Sequence, residues 1–370
     1  MNILVITATY PPSVNGVAIS TQRTVLALKK RGHTVFVLGP GEFLTLHNVP
    51  FAPKDYPIIF PFLLSSIKER LARTSWDIIH VHHPSVIGSL AVSLGKRLGV
   101  PVVFTYHTQY DRYIDTYAPF LPKALRRSIY IGALAFCREV QAIIAPTHWL
   151  EGQLRERFPE VPVYYVSTAG LPKIFALKTP KSALRRQLGL PENLSIFLTV
   201  SRLSKEKNLA FLIGSFAIWS KRNRSGLLVI VGDGSERSSL RKLAVSHSMD
   251  KSIRFVGKIP NQDLATWYSA SDVFLYSSTT DTIGVNIIEA MSAGLPVVSI
   301  DDTTTREVIR SKVNGILVPP KEEAFAKAMA LALEQKKRLA SESRDTAGAY
   351  MLEATTQALE RVYRTIIQSR

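Results

Sequence analysis

The chain has 370 residues, 46% of them hydrophobic and 20% charged, which excludes a disordered polymer and exceeds what one ordinary core holds. With 46 Lys+Arg against 29 Asp+Glu, the formal charge of +17 calls for an anionic partner, a phosphate, an acidic membrane surface or nucleic acid. No zinc-type Cys/His spacing or RNP-type aromatic strand supports nucleic acid, no apolar run nears the roughly 20 residues that span a bilayer, and the lone Cys137 fits a reducing cytoplasm.

In chain order, "MNILVITATYPP" has no basic leader region and reads as a first strand rather than a signal peptide. Short β-branched runs then alternate with helical patterns: "TVFVLG", "DIIHVHH", "PVVFTYH", "AIIAPT" and "VYYVS". After a Pro- and Lys-containing break at 172–194 come "LSIFLTVS", "GLLVIVG", "SIRFVG", "DVFLYSS", "PVVSI" and "GILVPP". Strands of about five residues separated by helices are the mark of parallel, doubly wound α/β sheets. The expected division is 1–172, 173–350 and a final amphipathic helix in 351–370 that packs back on the first domain. Ligands of open parallel sheets bind outside the carboxyl ends of the strands, so two such domains facing each other imply a cleft between them.

The polar residues that follow strands are therefore the ones to weigh. In "VSRLSKEKN", Arg202 follows a strand and Lys207 is expected to begin a helix; a fork of donors and a point charge suit a diphosphate, though a solvated turn has the same composition. In "DTIGVNIIEAMSAGLPVV", a helix opening at Gly284 offers unpaired N–H groups to an anion. Asp281 and Glu289 are set to accept from the vicinal diols of a sugar nucleotide, with a helix N-cap as the rival reading of Asp281. Gly16 in "SVNGVAIS" permits a tight turn and close backbone approach to a phosphate. "VGDGSE" is a weak dinucleotide signal or a plain turn. His80 and His82 share one strand face while His83 points away, and no carboxylate or cysteine completes a metal shell. His107, after "VVFTY", is placed either to touch a sugar hydroxyl or as a structural histidine. The segments 56–74 and 122–136 carry Lys68, Arg70 and Arg73, and Lys123, Arg126 and Arg127, beside apolar residues; an interfacial helix and an ordinary basic surface helix both look like this.

Taken together, "TATYPPSVNGVAIS", "SRLSKEKN", "VGDGSE", "FVGKIPNQDLATWYSASDVFLYSST" and "DTIGVNIIEAMSAGLPVV" resemble, in order and spacing, the retaining glycosyltransferases of family 4, which have the GT-B fold. "VNGVAIS" and "YHTQYDRY" look most like bacterial diacylglycerol glucosyltransferases, peripheral membrane enzymes. The resemblance implies that Arg202 and Lys207 clamp the diphosphate, Glu289 holds the ribose, and Asp281 and His107 meet the donor sugar. It likewise implies that the backbone at Ile283, Gly284 and Val285 and the loop at Gly16 meet phosphate or sugar, and that Lys258 and Ile259 read the base. It departs from the family where Asp281 stands for a glutamate and Thr282-Ile283 for Gly-Phe. The implied partners are a nucleotide-sugar donor, UDP-hexose before GDP-hexose, and a lipid acceptor at an anionic inner membrane face, with no metal and no nucleic acid. A mannosyltransferase, a transferase to a soluble or polysaccharide acceptor, and a non-catalytic nucleotide-sugar-binding protein are the alternatives.

Overall fold

The computed structural model describes the chain apart from residues 14, 41–44, 47–57, 60–70, 72, 85, 108–121, 172–176, 223–224, 279–280, 282–283 and 370. It divides into two units, Met1–Gly170 with Leu352–Arg370, and Leu171–Met351. Lys68, Arg70 and Ile283 lie outside the described residues.

The first unit runs β1 (Asn2–Ile6), α1 (Gly16–Lys30), β2 (Thr34–Leu38), an antiparallel pair β3 (Thr45–Leu46) and β4 (Ile58–Ile59), β5 (Ile78–Val81), α2 (Val86–Leu98), β6 (Val102–Thr105), α3 (Lys123–Cys137), β7 (Ala142–Ala145), α4 (His148–Arg157) and β8 (Val163–Tyr165). Its main sheet is parallel and six-stranded, in the order β2-β1-β5-β6-β7-β8. Every residue of β5, β6 and β7 is buried, as a parallel sheet covered on both faces requires.

The second unit runs α5 (Lys181–Gln187), β9 (Ser195–Val200), a 3₁₀ turn (Lys205–Lys207), α6 (Leu209–Ser220), β10 (Gly226–Val231), α7 (Arg237–Ser246), β11 (Ile253–Gly257), a second 3₁₀ turn (Asn261–Asp263), α8 (Leu264–Ala270), β12 (Val273–Tyr276), α9 (Val285–Ser292), β13 (Val297–Ile300), α10 (Thr303–Val308), β14 (Gly315–Val318), α11 (Glu322–Glu334) and α12 (Lys336–Gly348). Its six parallel strands follow the order β11-β10-β9-β12-β13-β14. The order reverses between β9 and β12, which pair at Val273 with Phe197 and Phe274 with Leu198. A crevice at such a switch point is where doubly wound sheets take ligands. Below it, Phe197, Phe216, Trp219 and Phe325 fill the core.

Buried Asp272, just before β12, ties this unit together. It accepts from the Ile196 amide at 2.8 Å and the Arg185 guanidinium at 2.6 Å, and Lys181 and Lys336 pair with it as well. Burial pushes its carboxyl up, but the lysine charges and these hydrogen bonds outweigh burial and hold it at about 2.

The last helix, α13 (Leu352–Gln368), belongs to the first unit. Its apolar stripe of Leu359, Val362, Tyr363 and Ile366 packs with Ile3, Val5, Val25 and Leu28. Arg31 and His33 close on Glu360 at 2.6 and 2.8 Å. No helix among the described residues is long and apolar enough to cross a membrane.

Candidate active site

At the switch point of the second unit, Arg202, Lys207 and Asp281 all follow the carboxyl ends of β9 and β12. Lys207 does not begin a helix as its sequence context implied. It ends the 3₁₀ turn, and Asn208, at φ 52°, breaks the chain direction before α6. The Ser277 hydroxyl, just past β12, donates to the carbonyls of Lys207 and Asn208 at 2.8 and 3.1 Å and fixes this loop to the neighbouring strand. The Lys207 ammonium then reaches Asp281 Oδ1 at 2.6 Å. Tyr276, the last residue of β12, donates to Asp281 Oδ2 at 2.5 Å. Asp281 is thus no helix cap; the N-cap of α9 is Gly284. Burial pushes the Asp281 carboxyl up, and the adjacent Lys207 charge with hydrogen bonds from Lys207, Tyr276 and Ser278 more than reverses that, so it stays below its ordinary value and ionised.

Glu289 lies inside α9, buried, with Tyr268 of α8 donating to its Oε2 at 2.9 Å. On the other side, Asn286 donates to the Val200 carbonyl at 2.6 Å and seats α9 against the end of β9. Arg202 stands 3.8 Å from buried Glu206, which also accepts from Ser204 at 2.6 Å. The "VGDGSE" loop supports this segment. Leu203 N donates to Asp233 O at 3.0 Å and Glu236 N to Leu203 O at 2.9 Å. A Cβ on Gly232 would meet Ser201 O at 1.8 Å, and one on Gly234 would meet Leu203 O at 2.4 Å. Those glycines let two backbones touch, a role that a comparison with dinucleotide fingerprints could not disclose. Lys258 and Ile259 follow β11, with Lys258 exposed.

In the first unit, Gly16 does not form a tight turn. It is the first residue of α1, Asn15 caps that helix by accepting from Ala18 N at 2.9 Å, and, its chain neighbours and its own helix backbone aside, no atom of the described residues comes within 4 Å of where a Gly16 Cβ would stand. The open space leaves the backbone approachable. The histidines form a packed group at the ends of β5 and β6. His82 Nδ1 lies 2.7 Å from His107 Nε2, and His80 bridges Thr105 Oγ1 and the Tyr363 hydroxyl of α13, each at 2.6 Å. Burial first, and the neighbouring imidazoles second, keep His82 and His107 well below the usual histidine value; burial alone takes His80 to about 3 and His83 to about 4. All four are therefore neutral near pH 7. Among the described residues no three His, Cys, Asp or Glu are arranged to hold a metal ion.

Of the basic residues assigned to a surface, Lys123, Arg127 and Arg73 are exposed and Arg126 half-buried. The charge pattern drew attention to these, but it did not show which apolar residues accompany them in solvent. Leu125, Ile129 and Ile131 of α3 are 46%, 46% and 52% exposed, and only Ala133, Phe136 and Cys137 of that helix are buried. Between α3 and α4 lies a cavity of about 330 Å³ lined by Tyr106, Tyr130, Trp149, Leu154 and Arg157.

Two units, each with a six-stranded parallel doubly wound sheet, have the architecture of the GT-B class of glycosyltransferase. Residues 180–350 match the family model described as "Glycosyl transferases group 1", and residues 14–168 match "Glycosyltransferase Family 4". The chain belongs to this family of hexosyltransferases. An alpha-monoglucosyldiacylglycerol synthase of Streptococcus pneumoniae is 28% identical over 340 residues, which cover 86% of this chain and 75% of that one. A GDP-mannose-dependent alpha-mannosyltransferase of Mycobacterium tuberculosis is 27% identical over 341 residues, 86% of this chain and 84% of that one. Among solved structures, sucrose-phosphate synthase from Thermosynechococcus elongatus superposes with a TM-score of 0.81 at 21% identity over 100% of both chains, a likeness of fold.

Proposed function

We propose that the enzyme moves glucose from UDP-glucose to a lipid acceptor such as diacylglycerol at an anionic membrane surface, with retention at the anomeric carbon. The observation that carries this reading is the ion pair of Lys207 and Asp281 at the switch point, which sets a cation for phosphate beside a carboxylate for hydroxyls. In this reading Arg202 and Lys207 meet the diphosphate, Asp281 the hexose and buried Glu289 the ribose. The amides of Gly284 and Val285 and the backbone at Gly16 approach sugar and phosphate, His107 donates to a hexose hydroxyl, and Lys258 and Ile259 meet the base through backbone groups. The bond from the anomeric carbon to the departing phosphate breaks while the acceptor hydroxyl attacks from the same face and gives its proton to the leaving phosphate oxygen. The protein contributes position and charge, so no metal is required.

For the acceptor, the support is the solvent-exposed apolar and basic turn of α3 beside the aromatic cavity, together with the pneumococcal relative. The mycobacterial relative favours a second donor, GDP-mannose. A panel of UDP- and GDP-hexoses against diacylglycerol vesicles and soluble sugars, with mass spectrometry of the products, decides between them. A glucosylated lipid from UDP-glucose is the expected product. A mannosylated product from GDP-mannose would establish the second reading, and binding of a donor without turnover on any acceptor would leave a non-catalytic binding protein.

A further inference from the structure

Both oxygens of Asp281 are occupied, and by different kinds of donor. Oδ1 faces the Lys207 ammonium at 2.6 Å, a charge that a bound diphosphate would compete for. Oδ2 faces the Tyr276 hydroxyl at 2.5 Å, a neutral donor with no such competing role. Tyr276 is itself buried, on the last position of β12, and its ring is confined. A Cβ at Gly284 would lie 3.3 Å from its Cζ and 2.6 Å from Ile287 Cδ1, so the ring packs close to the backbone at the start of α9 and the absent side chain leaves it that place. If a nucleotide diphosphate draws Lys207 toward itself, the Tyr276 hydroxyl, with that of Ser278 beside it, is left to fix where the carboxylate points.

We infer that Tyr276 is a positioning residue for the donor sugar, holding Asp281 in the orientation that meets the hexose hydroxyls after Lys207 has turned to the phosphates. This rests on the proposed role of Asp281 and adds a residue that nothing in the motif pattern marked, because an aromatic at a strand end reads as core. The chemistry is consistent. Burial and the negative charges of Asp281 and Asp302 raise the phenol well above its ordinary value, so it stays a donor at every working pH. The charged and titratable groups on this carboxylate are thus Lys207 from the β9 loop and Tyr276 from β12, with Asp302 beyond the ring.

The test is a double-mutant cycle of Tyr276→Phe and Asp281→Asn, assayed with both UDP-glucose and GDP-mannose, alongside affinity for the free nucleoside diphosphates. Tyr276→Phe keeps the ring and is expected to lower kcat roughly 10- to 100-fold, the size of a lost hydrogen bond to a charged group, with diphosphate affinity retained. The double variant should be no slower than Asp281→Asn alone, since the tyrosine acts through that carboxylate. The acid limb of the kcat profile should also move to higher pH in Tyr276→Phe, because an ionised carboxylate has lost a donor. Effects that multiply in the double variant, or a kcat equal to wild type, would overturn the inference. If Asp281→Asn is itself harmless, the role given to Asp281 fails first, and the two failures are distinct. Should Tyr276→Phe lose diphosphate affinity through misfolding, 3-fluorotyrosine at 276 keeps ring and hydroxyl while strengthening the donor. The acid limb should then move to lower pH, and an unmoved limb would contradict the proposal.

Discussion

At Lys207 the chain needs a left-handed Asn208 and two hydrogen bonds from Ser277 to aim one ammonium at one carboxylate. Such a build predicts that the aim matters. Lys207→Ala and Arg202→Ala should each lower kcat/KM by about 100-fold, near 3 kcal/mol of transition-state stabilisation, because charge developing on the diphosphate loses its partner. Steady-state kinetics in which both variants match wild type would remove the clamp. The two carboxylates should separate by symptom. Glu289→Gln, which disturbs a buried acid held by Tyr268, should raise the Kd for donor, whereas Asp281→Asn should chiefly lower kcat. Identical, purely KM-type effects would dissolve that division. The pairing of Lys207 with Asp281 follows from residues that the sequence singles out. Their tyrosine and serine holders were not legible, since Tyr268, Tyr276 and Ser277 differ from ordinary core and turn residues only in what they touch.

Among the elements, strands were the easiest to read. Buried β-branched runs such as Val102–Thr105 and Val297–Ile300 appear where the alternation with helices puts them. Turn chemistry was harder. The segment "DDTTTRE" at 301–307 forms a capping box in which Asp302 accepts from Thr304 N at 3.1 Å while Thr305 Oγ1 accepts from Asp302 N at 3.0 Å. The histidines of β5 show how packing overrides appearance: a cluster that resembles a metal site is a neutral, hydrogen-bonded group joined to α13 through Tyr363. Its consequence is a pH dependence of known sign. A histidine whose folded value lies below the unfolded 6.5 resists protonation, so the unfolded chain gains protons first and stability falls with acidification. The melting temperature should therefore decline from about pH 6.5 toward the folded values of about 4 for His83 and about 3 for His80. His80→Asn should flatten part of that slope. A melting temperature constant from pH 7 to 5 would contradict the assignment of neutral, buried imidazoles.

For the whole molecule, the charge of +17 and the exposed face of α3 bear on where the reaction takes place. Each basic side chain close to an anionic leaflet contributes about 1 kcal/mol, and apolar side chains entering the interface deepen the attachment. Flotation with vesicles should thus increase with anionic lipid and decrease with salt, exposed charges being screened over about 10 Å at 0.1 M. Lys123→Glu with Arg127→Glu should weaken it, and Leu125→Ser with Ile129→Ser should weaken it without changing the salt dependence. Flotation indifferent to anionic lipid would point to a soluble or polysaccharide acceptor instead.

The most direct measurement of the central claim is the product itself. Purified enzyme is incubated with UDP-glucose and diacylglycerol in anionic vesicles in the presence of EDTA, and the extracted lipid is identified by mass and by its anomeric proton coupling. The account predicts a monoglucosylated lipid with the axial anomeric configuration of the donor, formed without added metal. An inverted product, a requirement for added divalent metal, or donor consumption with no glucosylated lipid would contradict it.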